Sequence, residues 1–249
     1  MPGGAQGKPA LLKLYKYLRV RAKLFHEFKG KKIAVLFFLD KDVDDYARTQ
    51  KRSEHVVYTE YYDYEGYLFR EGKLVEAVAA AAQADLSKVK SWLGDTQQWR
   101  RRASDRWKDW VKLCLFANLR KLHGVCNYGA SSRINIPLHG AVTSSELGRH
   151  VSELEAKSGL SKSQFQLAFN RIAAKVDLAY AEDQAEKVFK AKWYSAIAQT
   201  EVKQAAGTYP IDENGLGSSL AKCLLLTLSF DEAWTEWFRN PIRALLARL

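Results

Sequence analysis

The run Ile-Ala-Val-Leu-Phe-Phe-Leu-Asp at 33–40 constrains the fold more than any other stretch of the chain. Its apolar residues are consecutive rather than alternating, β-branched and aromatic types dominate, and charged residues bound it on both sides. That is the pattern of a strand buried on both faces, which needs helical cover above and below. The surrounding sequence supplies it. Leu11, Leu14, Tyr15, Leu18, Ala22 and Phe25 recur at spacings of three and four and predict an amphipathic helix over 10–28 with a basic outer face, ended by Gly30. His-Val-Val-Tyr-Thr-Glu at 55–60 predicts a second short buried strand. A helix is expected through Val-Glu-Ala-Val-Ala-Ala-Ala-Ala to about residue 83, with Gly66 allowing a turn ahead of it. The fold class read from this order is α/β, a small parallel-type sheet flanked by helices.

From residue 84 onward the pattern is almost wholly helical, with helices expected over 85–93, 96–122, 144–157 and 161–205, and a helical tail. Ser161 and Gln164 have the spacing of a capping box, and the longest segment has a break signal near Asp183. Residues 123–143 and 206–217, rich in Gly, Ser, Asn and Pro, read as loops, with Tyr-Gly-Ala-Ser-Ser at 128–132 the most mobile. The division this suggests is an α/β portion over 1–83 and a mainly helical region over 84–249.

A chain with 47% hydrophobic and 27% charged residues is neither disordered nor fibrous. No apolar run reaches the roughly 18 residues of a membrane span, and positive charges are spread through the N-terminus in place of a charged-then-apolar leader; a soluble, cytoplasmic protein is expected. Cys114, Cys126 and Cys223 are widely spaced and odd in number, which argues for reduced thiols over a disulfide framework, and His123 beside Cys126 is too little for zinc.

The net charge of +11 is uneven. Between residues 1 and 32 lie nine basic side chains (Lys8, Lys13, Lys16, Arg19, Arg21, Lys23, Lys29, Lys31, Lys32) and one acid, Glu27. A field of that kind attracts polyanions, so nucleic acid is the expected partner. Lys13, Lys16, Arg19 and Lys23 are candidate phosphate contacts, as are Arg100, Arg101, Arg102 and Arg106 in the segment Trp-Arg-Arg-Arg-Ala-Ser-Asp-Arg-Trp. Trp99, Trp107 and Trp110 of that segment fall at spacings that suit a core stripe better than a base-stacking face.

The acids that follow the central strand, Asp40, Asp42, Asp44 and Asp45, sit where α/β sheets bind ligands, at a strand's carboxyl end. If extended geometry persists through Lys41, the carboxylates of Asp40 and Asp42 share one face, about 6 to 7 Å apart along the chain. Carboxylate oxygens suit Mg²⁺ or Mn²⁺, which could polarise a phosphodiester. The plainer alternative is a loop whose acids cap the next helix. A haloacid-dehalogenase-like phosphatase also uses D-x-D, but the Gly-Thr continuation of that family is missing.

The pairing of a hydrophobic strand and D-x-D at 40–42 with Thr59, Asp63 and Glu65 in Thr-Glu-Tyr-Tyr-Asp-Tyr-Glu resembles a TOPRIM-like nuclease family found beside ABC-type or OLD-like ATPases in bacterial anti-phage systems. The effector subunit of the PARIS system belongs to that family. The resemblance covers roughly residues 30–80. It implies Asp40 and Asp42 as metal ligands joined by Asp44, Glu65 as a further catalytic acid, Thr59 and Asp63 beside the cleft, Mg²⁺ or Mn²⁺ as cofactor, DNA or RNA (tRNA included) as substrate, and an ATPase partner. The chain departs from the pattern in one respect: no Asp or Glu precedes Glu27. The glutamate that such a site takes from an earlier strand is therefore missing, and either that strand lies outside this chain or the site is degenerate. The second reading is accordingly a non-catalytic module that binds nucleic acid or an ATPase. Gly-Leu-Gly-Ser-Ser at 215–219 lacks the Walker lysine spacing, so no intrinsic ATPase is expected.

Overall fold

The structure, a computed structural model, describes residues 7–129 and 143–249. The expected mobile stretch lies outside the described residues from Ala130 on, and so does His139. The chain folds as two units, one made of the described residues up to Glu60 together with Phe230–Leu249, the other of Tyr61–Ser229. The boundary between the units falls at 60/61, and the C-terminal residues belong to the first unit.

In the first unit, α1 (Lys8–Val20) is shorter than its periodicity implied. It ends in a Schellman turn in which the Ala22 and Lys23 amides donate to the carbonyls of Arg19 (3.1 Å) and Leu18 (2.8 Å), with Ala22 left-handed at φ 53°. The chain then enters β1 (Phe25–Phe28), which pairs antiparallel with β2 (Lys31–Ala34). Lys29 and Gly30 have φ of 53° and 73°, the two positive values that a tight hairpin turn demands. Gly30 therefore makes a hairpin and does not stop a helix.

The run at 33–40 is divided between two partners. Its first residues complete the hairpin, and β3 (Phe37–Leu39) pairs in parallel with β4 (Val56–Tyr58), register Phe37↔Val56 to Leu39↔Tyr58. The four-residue β1 offers no partner for the rest of the run, so the chain crosses at Val35, whose amide donates to the Leu24 carbonyl (2.9 Å) and whose carbonyl accepts from His55 Nδ1 (2.7 Å). Tyr15, Leu24, Phe37, Leu39 and Val56 form the core, with the Tyr15 ring edge-on to Phe37; each such burial is worth about 1.5 to 3 kcal/mol. A helical turn, α2 (Asp44–Ala47), follows the acids, and after residue 230 the unit is completed by α12 (Glu236–Leu246). The parallel pairing is thus present as two strands beside a separate antiparallel hairpin.

The second unit is helical: α3 (Glu65–Glu71), α4 (Leu74–Ala82), α5 (Leu86–Leu93), α6 (Thr96–Asp105), α7 (Lys108–Leu119), α8 (Ser144–Ser158), α9 (Lys162–Ala181), α10 (Lys192–Ala206) and α11 (Glu213–Leu226). The predicted helix at 96–122 breaks at Arg106, which lets Trp107 turn inward against Trp193, ring centroids 5.6 Å apart. The capping box at Ser161 is formed, and the expected break at Asp183 occurs with φ 54°. Two glycines act through close packing. Gly66 lies inside α3, where a Cβ would come within 2.7 Å of Tyr61, and Gly215, in the segment read as loop, lets α11 approach the Ala81 carbonyl of α4. Trp99, Trp107 and Trp110 are fully buried, as the core-stripe reading expects. No helix among the described residues is long and apolar enough to cross a membrane.

Candidate functional site

The acidic segment leaves β3 at Asp40, and the parallel ladder fixes its start. The Lys41 amide donates to Thr59 Oγ1 (2.8 Å), and Lys41 Nζ, on a residue only 5% exposed, donates to the Glu60 carbonyl (2.6 Å) and pairs with Asp45 (3.1 Å). Thr59 thus stands beside the motif, in the role of anchoring its backbone. The extended geometry then stops: Asp42 is left-handed, φ 52°, so the alternation that would align its carboxylate with that of Asp40 does not continue.

Lys8, at the first turn of α1, takes up the carboxylate of Asp42. Its ammonium lies 2.5 Å from Asp42 Oδ2 and 2.9 Å from Asp44 Oδ2 and donates to the Lys41 carbonyl at 3.4 Å. Asp44 Oδ1 also accepts from Thr49 Oγ1 (3.0 Å). Burial alone would lower the Lys8 pKa, but the hydrogen bonds and charges of Asp42 and Asp44 outweigh it and the net shift is upward. Two of the three expected metal ligands, Asp42 and Asp44, thereby share one ammonium of the protein itself. Among the described residues no group of three or more His, Cys, Asp or Glu side chains is arranged to hold a metal ion.

Asp63 and Glu65 belong to the second unit, whereas Asp40, Asp42, Asp44 and Thr59 belong to the first. Asp63 is buried and its Oδ2 accepts the backbone amide of Lys192 (3.3 Å) at the start of α10, where a carboxylate is favoured by the exposed amides. Glu65 Oε1 lies 3.8 Å from Lys192 Nζ.

The candidate phosphate contacts divide sharply. In the second unit, Arg100 binds the fully buried Glu186 (2.7 Å) and Asp183 (3.0 Å), and Glu186 also receives Arg70 and the Tyr194 hydroxyl. Arg102 donates to the carbonyls of Asp95 and Leu93, and Arg106 pairs with Glu201 at 2.5 Å, a carboxylate shared with Trp99 Nε1. These guanidiniums tie helices together. Arg101 is exposed and makes only a long contact, 3.9 Å from Asp105. In the first unit the situation is reversed. Lys13, Lys16, Arg19 and Lys23 are exposed and make no ion pair among the described residues, and the same holds for Lys31 and Lys32 on the hairpin. Sequence reasoning gave the two arginine and lysine groups equal weight, and it missed Lys8 as the partner of the acids; contacts 34 and 36 residues apart leave no local signal.

Compared with protein-family models, curated proteins and solved structures, the chain matches none.

Proposed function

We propose that the chain is a nucleic-acid-binding module whose first unit engages the phosphate backbone through α1 and the β1–β2 hairpin. The observation that carries this reading is the row of exposed cations, Lys13, Lys16, Arg19, Lys23, Lys31 and Lys32, without an ion pair among the described residues, whereas Lys8 and Lys41 of the same unit are engaged by carboxylates and carbonyls. Unpaired ammonium and guanidinium groups displace condensed counterions when they meet phosphates, and this is the main source of affinity for such ligands. The acidic loop, bridged by Lys8 and Lys41, then serves to hold α1 in place. Titration of fluorescein-labelled DNA and RNA with the full chain tests the reading: binding that weakens steeply with salt, and that is lost when Lys13, Lys16, Arg19 and Lys23 are all changed to Ala, supports it. Equal binding by that variant contradicts it.

A second reading, a Mg²⁺- or Mn²⁺-dependent nuclease of TOPRIM-like type, is favoured by one feature. Asp40 follows directly on a parallel strand pair, the place where α/β folds put their chemistry. It requires the Lys8 ammonium to leave Asp42 and Asp44. Cleavage of DNA or RNA by the purified chain with Mg²⁺ or Mn²⁺, abolished by Asp40→Ala, would establish it, and uncleaved substrate would exclude it.

A further inference from the structure

Two aromatic rings stand out of the basic surface of the first unit. Tyr17 on α1 is 52% exposed, and the Arg21 guanidinium lies over its ring at 3.7 Å. Phe28, the last residue of β1 before the hairpin turn, is 57% exposed, with Lys29 Nζ 5.4 Å from its ring centroid. The core of the unit is supplied by other residues, Tyr15, Leu24 and Phe37 among them, so neither ring is needed for packing. Each exposed ring presents an apolar face beside a cation of its own and among cations without partners.

We infer that Tyr17 and Phe28 are stacking platforms and that the nucleic acid bound by this surface is single-stranded. The inference rests on the reading of the first unit as a nucleic-acid-binding surface and deepens it. In a duplex the base faces are occupied by neighbouring bases, and an exposed side-chain ring has nothing to stack on. In a single strand every base has a free face, and stacking on an aromatic side chain adds to the phosphate contacts without depending on sequence. The guanidinium over Tyr17 extends the stack on the side away from the base. An anionic membrane is the competing partner for a basic helix, since Leu11, Leu14 and Val20 of α1 are also exposed. The placement of Lys13 and Lys16 among these apolar residues, and of Lys31 and Lys32 on a separate hairpin, gives charges spread over a surface instead of a broad apolar face suited to insertion.

Fluorescence anisotropy of the full chain with labelled 20-mers of oligo(dT), of oligo(U) and of a mixed-sequence duplex decides the matter, with phosphatidylserine vesicles as a fourth ligand. The expected result is tighter binding of one or both single strands than of the duplex. Tyr17→Leu and Phe28→Leu should each weaken single-strand binding by roughly 5- to 150-fold, the range for loss of one stacked base, and leave duplex binding and the salt dependence unchanged. Tyr17→Phe should retain the affinity, and circular dichroism should show each variant folded. Equal affinity for strand and duplex, with both leucine variants at wild-type affinity, overturns the inference and leaves the nucleic-acid reading standing. Binding to vesicles with no binding to any oligonucleotide overturns both.

Discussion

The Lys8 ammonium lies 2.5 Å from the Asp42 carboxylate and bridges it to Asp44, joining the first turn of α1 to the loop that follows β3. The side chain of Lys8 is only 18% exposed, so this is more than a solvated surface pair. Lys8→Met would leave two neighbouring carboxylates uncompensated and detach the start of α1. The expected loss is about 1.5 kcal/mol, the scale of hydrogen bonds to charged groups, read as a lower urea midpoint for the first unit. An unchanged midpoint would mean that the contact contributes nothing.

Lys8 and Tyr46 give the first unit an alkaline limit. Lys8 is raised above its ordinary pKa of 10.5. Burial, followed by the charge of Asp45, pushes the Tyr46 hydroxyl from 10.0 up to about 12. Both groups hold their protons more tightly folded than unfolded, so their contribution is complete below the unfolded values and disappears as pH rises through the folded ones. Urea midpoints measured from pH 9 to 12 should fall across the upper part of that window. The fall should be smaller in Tyr46→Phe, which has no hydroxyl to ionise.

Ala22 occupies a left-handed position that costs an L-residue about 1 to 2 kcal/mol. Ala22→Gly removes that cost and adds about 0.4 to 1 kcal/mol of unfolded-chain entropy, so the variant should be more stable by about 0.5 to 1 kcal/mol. A less stable variant would show that the Schellman turn is not formed.

Arg100 and Arg101 are neighbours with opposite fates. Arg100→Ala leaves the buried carboxylate of Glu186 short of one of its partners and should cost about 3 kcal/mol. Arg101→Ala removes only an exposed, long pair and should cost less than about 0.5 kcal/mol. Equal losses in thermal or urea unfolding would contradict the assignment of Arg100 to the interior.

Much of this architecture is legible in the sequence, because helical periodicity, the capping box at Ser161 and the burial of Trp99, Trp107 and Trp110 are local or amphipathic signals. The hairpin was hidden for a physical reason: the cap of α1 uses a left-handed alanine where a glycine would have announced the helix end, and Phe25 continues the helical spacing by coincidence. The run at 33–40 signals burial but not which partner each half takes; the length of β1 decides that. Around the acids, Asp40 at a strand end and Thr59 beside it follow from strand pattern, whereas the left-handed Asp42 and the Lys8 bridge depend on tertiary placement. Arg100 and Arg106 look like their neighbours in sequence, and only their distant partners Glu186 and Glu201 separate them from the free cations of α1.

The unpaired cations of the first unit carry the proposed affinity, and the salt dependence of single-strand binding measures them directly. With Lys13, Lys16, Lys31 and Lys32 replaced by Gln, the slope of log K against log salt should become shallower by about 3, since each phosphate contact on a single strand contributes about 0.7. A slope and an affinity equal to those of the unaltered chain would contradict the account.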